Sequence, residues 1–397
     1  MRIFQKILPA LLPFLLLSCR YKDPELLEYK VFDSLIFERK MTFDDMISDV
    51  MDQYGEHSSA YGELAELLEE GRQAAEDYTV YGITYNSLDH EGKPVKATGL
   101  VYYPETTYLK GVIEIVPVNK SKFSCGSVNR SVPEAIAGCT GYIMIVPDLL
   151  GCGGTEDYPI SYLQHDDIVR LAVDMRKAAY EFLYNHRYIR LGNKDYIFGY
   201  SLGGGGALAL ARHYSLHPEC GIKVKELWLG AGAWDPLAAV KEYAASGRCG
   251  AVILPNMLVS IDFYNHLGVD FSTVFKGEFL ENYQELTAGY ISTDSLTTRF
   301  GPELDAYIDM DFFAEDNAVW QKVQDALSSQ LVPVDFKPSF PVFLYHSADD
   351  ATIPVSASDS LNARLLRAGA KVYYHRTEGS HHLTGFKIEG DMARHLL

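Results

Sequence analysis

Tyr196-Ile197-Phe198-Gly199-Tyr200-Ser201-Leu202-Gly203-Gly204-Gly205-Gly206 is the stretch that decides the fold. Its first three residues are β-branched or aromatic, the composition of a buried strand. Gly204 to Arg212 reads as a helix, although its glycines weaken helix propensity. Between the two stands G-x-S-x-G. A serine hydroxyl is a weak nucleophile until it is held exposed at a sharp strand-to-helix turn beside a base. The flanking glycines let that turn take a strained backbone, and the helix N-terminus favours developing negative charge. Ser201 is therefore the candidate nucleophile. Gly204, Gly205 and Gly206 are expected to serve close packing of the helix on a sheet.

Outward from this turn the same alternation repeats. Short apolar strands are expected at Gly111–Val118, Tyr142–Pro147, Leu227–Gly230, Val342–His346 and Lys371–His375, with helical intervals at Ile168–His186 and Gly203–Ser215. Asp77–Tyr85 and Val95–Tyr103 alternate around Asp89-His90-Glu91-Gly92, which predicts an antiparallel hairpin. A hairpin followed by β-α units predicts an α/β fold: a mostly parallel sheet with helices on both faces. Between Asp235 and Phe336 the rhythm breaks for roughly 100 residues, far more than an ordinary connection. This interval carries Phe263, Tyr264, Phe275, Phe279 and Trp320, and it reads as a helical cap over 236–335 inserted into a core of 78–235 and 336–397.

The N-terminus has a different character. Arg2 and Lys6 precede an apolar run of 11 residues, Ile7 to Leu17, broken by Pro9 and Pro13. That run is too short to span a bilayer and suits a signal peptide. Leu16-Leu17-Ser18-Cys19 resembles a bacterial lipobox, which implies a signal peptide over 1–19, lipid modification at Cys19 and a membrane anchor in the cell envelope. Residues 20–77 are expected to be a tether, over about 20 to 40, followed by a helical segment in which Phe43, Met46, Ile47, Val50 and Met51 recur at helical spacing.

Composition narrows the function classes. Hydrophobic residues make up 47% and charged residues 22%, enough apolar material for a large core. Lys and Arg total 35 against 53 Asp and Glu, a formal charge of −18. So acidic a surface repels phosphate backbones, and with no basic, aromatic-interleaved patch in the chain, nucleic acid is excluded as a partner. Beyond Cys19, the cysteines Cys125, Cys139, Cys152, Cys220 and Cys249 show neither CxxC nor Cys/His spacing, so no zinc site is expected from them. Their odd number leaves at least one unpaired within the chain, and the oligomeric state stays open.

With these motifs in place, the chain from about Tyr78 to His395 resembles the α/β-hydrolase superfamily, in particular secreted lipases and esterases with a helical cap. Pro147-Asp148-Leu149-Leu150-Gly151-Cys152-Gly153 is similar to the family's D-x-x-G-x-G loop, Asp166 to Ala179 to the helix that follows, and Gly230 to Asp235 to the segment entering the cap. The family order is Ser, then acid, then His. His346-Ser347-Ala348-Asp349-Asp350-Ala351-Thr352-Ile353-Pro354 resembles H-G-x-x-D-x-x-V-P, which implies Asp350 as the acid, with Asp349 as its rival. Gly379-Ser380-His381-His382 resembles the final histidine turn, which implies His381, with His382 as its rival.

The resemblance implies hydrolysis of small-molecule or lipid carboxylic esters through an acyl-enzyme, with no metal or organic cofactor. One oxyanion donor would be the backbone N–H of Leu202. The second normally follows a His-Gly loop. Here the strand Val112–Val116 runs into Pro117-Val118-Asn119-Lys120-Ser121, so Val118 or Asn119 must supply it, and Asn119 is the candidate. Pro117 has no N–H to give, and a missing donor costs about 3 kcal/mol of transition-state stabilisation. Two other readings remain: a peptidase or amidase on the same scaffold, and a catalytically idle, lipid-anchored binding protein, for which the altered loop speaks.

Overall fold

The computed structural model describes residues 25–54, 72, 75–118, 121–122, 135, 140–379 and 381–396, with side-chain placement left out for 50–54, 381–383 and 386. Nine strands form one sheet: β1 (Phe32–Met41), β2 (Tyr78–Leu88), β3 (Pro94–Pro104), β4 (Gly111–Val116), β5 (Tyr142–Pro147), β6 (Lys194–Tyr200), β7 (Lys223–Gly230), β8 (Pro341–Ser347) and β9 (Lys371–Thr377). Their spatial order is β1-β2-β3-β5-β4-β6-β7-β8-β9. The pairs from β1 to β5 are antiparallel, and every pair from β5 to β9 is parallel.

The pleat sorts the central strands between two cores. Val116, Ile197, Leu227, Leu229 and Leu344 face one apolar cluster, shared with Leu208 of the helix α3 (Leu202–Leu216) and Leu361 of the helix α9 (Val355–Arg367). Ile113, Ile115, Phe198, Trp228 and Tyr345 face the other. That second cluster is covered by Met46 of α1 (Phe43–Tyr54) and by Ile388 and Met392 of α10 (His381–Leu396). Helices thus cover both faces, as strands with a period of two and apolar residues on both sides require. The long helix α2 (His165–Arg187) runs from the β5 loop back to β6.

Between β7 and β8 lie five helices: α4 (Pro236–Ser246), α5 (Leu254–Asn265), α6 (Gly277–Leu286), α7 (Thr293–Phe300) and α8 (Ala318–Ser329). They add no strand to the sheet. Their aromatics interlock, with Phe271 and Phe275 5.1 Å apart between ring centres and Phe312 and Trp320 5.4 Å apart. These rings belong to the same apolar cluster as Val116 and Leu229, so the insertion and the sheet share one core.

The expected tether over 20–40 needs correction. Phe32–Met41 is an edge strand, antiparallel to β2 with two register shifts. Asp33, Glu38, Arg39 and Lys40 obscured its pattern, since an edge strand keeps charges on its open side. Two devices that leave no local trace dock it. The Phe37 ring occupies the space a side chain on Gly82 would need. Glu181 Oε2 of α2 accepts the backbone N–H groups of Lys30, Val31 and Phe32 at 3.0, 2.9 and 2.8 Å. Residues 1–24, with the expected signal segment and Cys19, lie outside the described residues, as do Cys125 and Cys139; Cys220 and Cys249 carry free thiols.

Candidate functional site

The parallel strands end level with one another. Val116 pairs with Gly199, Tyr200 with Gly230, Gly230 with Tyr345, and Ser347 with Thr377. The loops after β4, β6, β7, β8 and β9 therefore open along one edge of the sheet. The chain visits β5 on one side of β4 and β6 on the other, and such a switch point leaves a crevice at the carboxyl ends of the strands.

Ser201 stands in that crevice between β6 and α3. Its backbone sits at φ 53°, ψ −123°, a strained conformation for a residue with a side chain. Two hydrogen bonds hold it: Ser201 N–H donates to Gly230 O at 2.8 Å, and Gly204 N–H donates to Ser201 O at 3.0 Å. The flanking glycines are required by space. A β-carbon on Gly199 would sit 2.5 Å from Ala207 Cβ, and one on Gly203 would lie 2.9 Å from the carbonyl carbon of Val116 and overlap its oxygen. The helix can start this close to β4 only without those side chains. The three further glycines serve close approach, but mostly against elements other than the expected sheet. Gly204 meets Gly232 and Trp234, Gly205 meets His165, and Gly206 meets Ile168 and, on the sheet, Val116. Leu163 at φ 62° and Ala231 at φ 38° are strained beside the same edge.

Asp350 is buried in the loop after β8. Its Oδ1 accepts the N–H groups of Thr352 and Ile353, each at 2.8 Å. Its Oδ2 lies 3.2 Å from His346 Nε2. His346 is fully buried, with Nδ1 2.6 Å from Ser358 Oγ and Nε2 2.9 Å from Ile353 O. Trp234 Nε1–H donates to Ser358 Oγ at 3.2 Å, so the Ser358 hydroxyl is free to donate to Nδ1. That chain assigns the proton to His346 Nε2, pointed at Asp350 and Ile353 O. Sequence reading noted His346 only as a motif letter; this role depends on Ser358 and Trp234, which no local pattern connects.

The rival acid does different work. Asp349 is exposed, and its Oδ2 accepts the Gly379 N–H at 3.0 Å. Ser347 Oγ donates to Gly379 O, and Thr384 Oγ1 receives the Ser347 N–H at 3.0 Å. These bonds fasten the β8 end to the start of α10. His381 is the first residue of α10. The side chains of His381 and His382 lie outside the described placements, as does Asn119 altogether.

One cavity joins the pieces. Ser201, Leu202 and Val118 line it beside Thr352 and Ile353 of the Asp350 loop. Ala239, Val240 and Tyr243 of α4, Met257 of α5 and Thr293 and Asp294 of α7 supply the wall from the insertion. Most of this lining is apolar, as in sites that hold an organic substrate by burial. Tyr243 ties the wall to the Asp350 loop, donating its hydroxyl to Thr352 O at 2.6 Å; burial holds its phenol well above the usual range, hence protonated.

Behind α3, His165 is buried against Gly205, and burial lowers its pKa to about 4. Among the described residues, the cavity edge holds no cluster of metal-ligating side chains.

Neither a family model nor a curated protein matches the chain. Solved structures do. The rice cell wall degrading esterase LipA of Xanthomonas oryzae superposes with a TM-score of 0.73 at 18% identity, covering 91% of this chain and 97% of LipA. A Legionella pneumophila protein assigned as a hydrolase gives 0.72 at 18%, covering 92% and 98%. Candida antarctica lipase A in its closed state gives 0.59 at 12%, covering 94% and 86%. The sheet order, the strained Ser201 turn and these superpositions together identify the fold of the chain as that of the α/β-hydrolase superfamily.

Proposed function

We propose that the chain is a serine hydrolase that cleaves carboxylic esters through an acyl-enzyme. The observation that carries this reading is the convergence of Ser201 and the Asp350 loop on one apolar cavity at the carboxyl edge of the sheet. Ser201 Oγ attacks the ester carbonyl carbon. His381 takes the hydroxyl proton and returns it to the departing alcohol; Asp350 holds the imidazole and offsets its positive charge. Water then repeats the sequence to release the acid. The Leu202 N–H supplies one oxyanion donor from the start of α3, and the Val118–Asn119 segment the second. Residues 236–335 act as the cap. The names of the superposable esterases and lipase support an ester substrate, and the apolar wall supports an acyl group bound by burial.

Turnover of p-nitrophenyl esters of increasing acyl length tests this. The reading expects saturable hydrolysis in the wild type and its loss in Ser201→Ala. Equal rates in the two proteins, or turnover of aminoacyl amides in place of esters, overturn it.

The proposal extends to location. Lipid modification at Cys19 would hold the enzyme in the bacterial cell envelope. Metabolic labelling with a fatty acid is expected in the wild type and absent in Cys19→Ala; label retained by the variant contradicts the anchor.

A further inference from the structure

Far from the nucleophile in sequence, the turn joining β2 to β3 meets the C-terminal end of α5. His90 and Glu91 stand on the turn and His266 caps the helix, and one donor atom from each lies within 4.8 Å of the others. We propose that His90, Glu91 and His266 bind a divalent cation of the zinc class, which ties the sheet's opening hairpin to the helical insertion.

Both halves of this site are built. In the turn, Asp89 Oδ1 accepts the N–H groups of Glu91 and Lys93 at 2.9 and 2.8 Å, and Asp89 Oδ2 accepts the Tyr158 hydroxyl at 3.0 Å. Arg170 Nη1 donates to Asp89 O at 2.9 Å. On the helix, His266 sits in the left-handed conformation at φ 53°, with its N–H directed at the carbonyls of Asp262 and Phe263. The His90 ring is framed by Tyr264 at 4.9 Å and Phe263 at 5.5 Å between ring centres, and by Tyr158 at 6.2 Å. A second observation concerns the same ring: among the described residues, His90 Nδ1 is buried with no hydrogen-bond partner. Burial of an unsatisfied ring nitrogen is unfavourable unless something takes its place as partner.

The donor set selects the ion. Two imidazole nitrogens and one carboxylate suit zinc and its neighbours, whereas calcium and magnesium want oxygen alone. Glu91 Oε2 pairs with Lys93 Nζ, while Glu91 Oε1 lies 3.8 Å from His266 Nε2. Tetrahedral zinc with bonds of about 2.0–2.1 Å needs donors about 3.3 Å apart. The closure required is small, and Glu91 and His266 are exposed side chains able to supply it. Water completes the fourth position. Because α5 also carries Met257 to the cavity wall, the ion fixes the insertion against the core without entering the chemistry.

The test titrates zinc chloride into the chelator-stripped, untagged full chain, and into His266→Ala and Glu91→Gln. One equivalent is expected to bind the wild type at micromolar concentration or below, with affinity at least tenfold weaker in each variant. Excess zinc should raise the wild-type Tm by several degrees and leave His266→Ala unmoved, and calcium chloride should shift neither. Circular dichroism of the metal-free variants confirms that they are folded. Equal zinc affinity in wild type and His266→Ala, or no saturable binding above that of the variants, overturns the site.

Discussion

The carbonyl of Val116 at the end of β4 occupies the space that a side chain on Gly203 would need. This contact presses the start of α3 onto the loop after β4, so that Leu202 and Val118 line one cavity. Gly203→Ala should therefore cost about 1–3 kcal/mol of stability through overpacking, and should lower turnover further by displacing the turn. Gly192→Ala, whose added carbon meets nothing within 4 Å, is the control. Thermal melts and ester kinetics on both variants check this; equal behaviour of the two would contradict the contact's importance.

Asp350 depends on a buried histidine. His346→Phe removes the Nε2 partner at 3.2 Å and leaves Ser358 without its acceptor. A buried polar group left unsatisfied costs about 1–3 kcal/mol. The variant should lose stability by that order and shift the pH profile of kcat/KM, because Asp350 Oδ2 would lose the His346 N–H. A melt and a pH–rate profile identical to wild type would show that His346 is filler.

His165 predicts an acid limit. Its unfolded pKa is near 6.5 and its folded value about 4, lowered by burial. Between these values the unfolded chain binds the extra proton, so stability is full above about pH 6.5 and falls as pH drops toward 4. The shift corresponds to about 3 kcal/mol. Urea unfolding across this range should show the loss, and His165→Gln should flatten it. An unchanged slope in the variant would assign the acid sensitivity to other groups.

Glu181 tests whether the N-terminal strand is part of the fold. One carboxylate oxygen gathers three backbone N–H groups, and Asn185 bonds both the N–H and the carbonyl of Leu27. Glu181→Ala should destabilise by about 2 kcal/mol and open residues 27–41 to limited proteolysis. Resistance equal to wild type would mean that β1 is held without the Glu181 carboxylate.

What the sequence disclosed and what it hid follow one physical rule. Tyr196 to Gly206 encodes a strand, a strained turn and a helix within a dozen residues, and the structure has all three there. Gly199 and Gly203 now have a spatial reason as well. The strands from Gly111 to His346 were legible because their buried stretches are apolar on both faces. Phe32–Met41 was not, because four of its ten residues are charged and its docking partners, Gly82 and Glu181, lie far along the chain. The same distance hid the roles of His346 and Tyr243, and it hid the meeting of His266 with His90. Pairings made by the fold leave no local periodicity to read.

The central claim is that Ser201 is an activated nucleophile. A fluorophosphonate probe, with the modified peptide located by mass spectrometry, tests it most directly. The account predicts a single covalent adduct on Ser201 in the wild type, none in Ser201→Ala, and labelling slowed by orders of magnitude in His381→Ala and Asp350→Asn. A folded wild-type protein that fails to react, or that reacts at another residue, would contradict it.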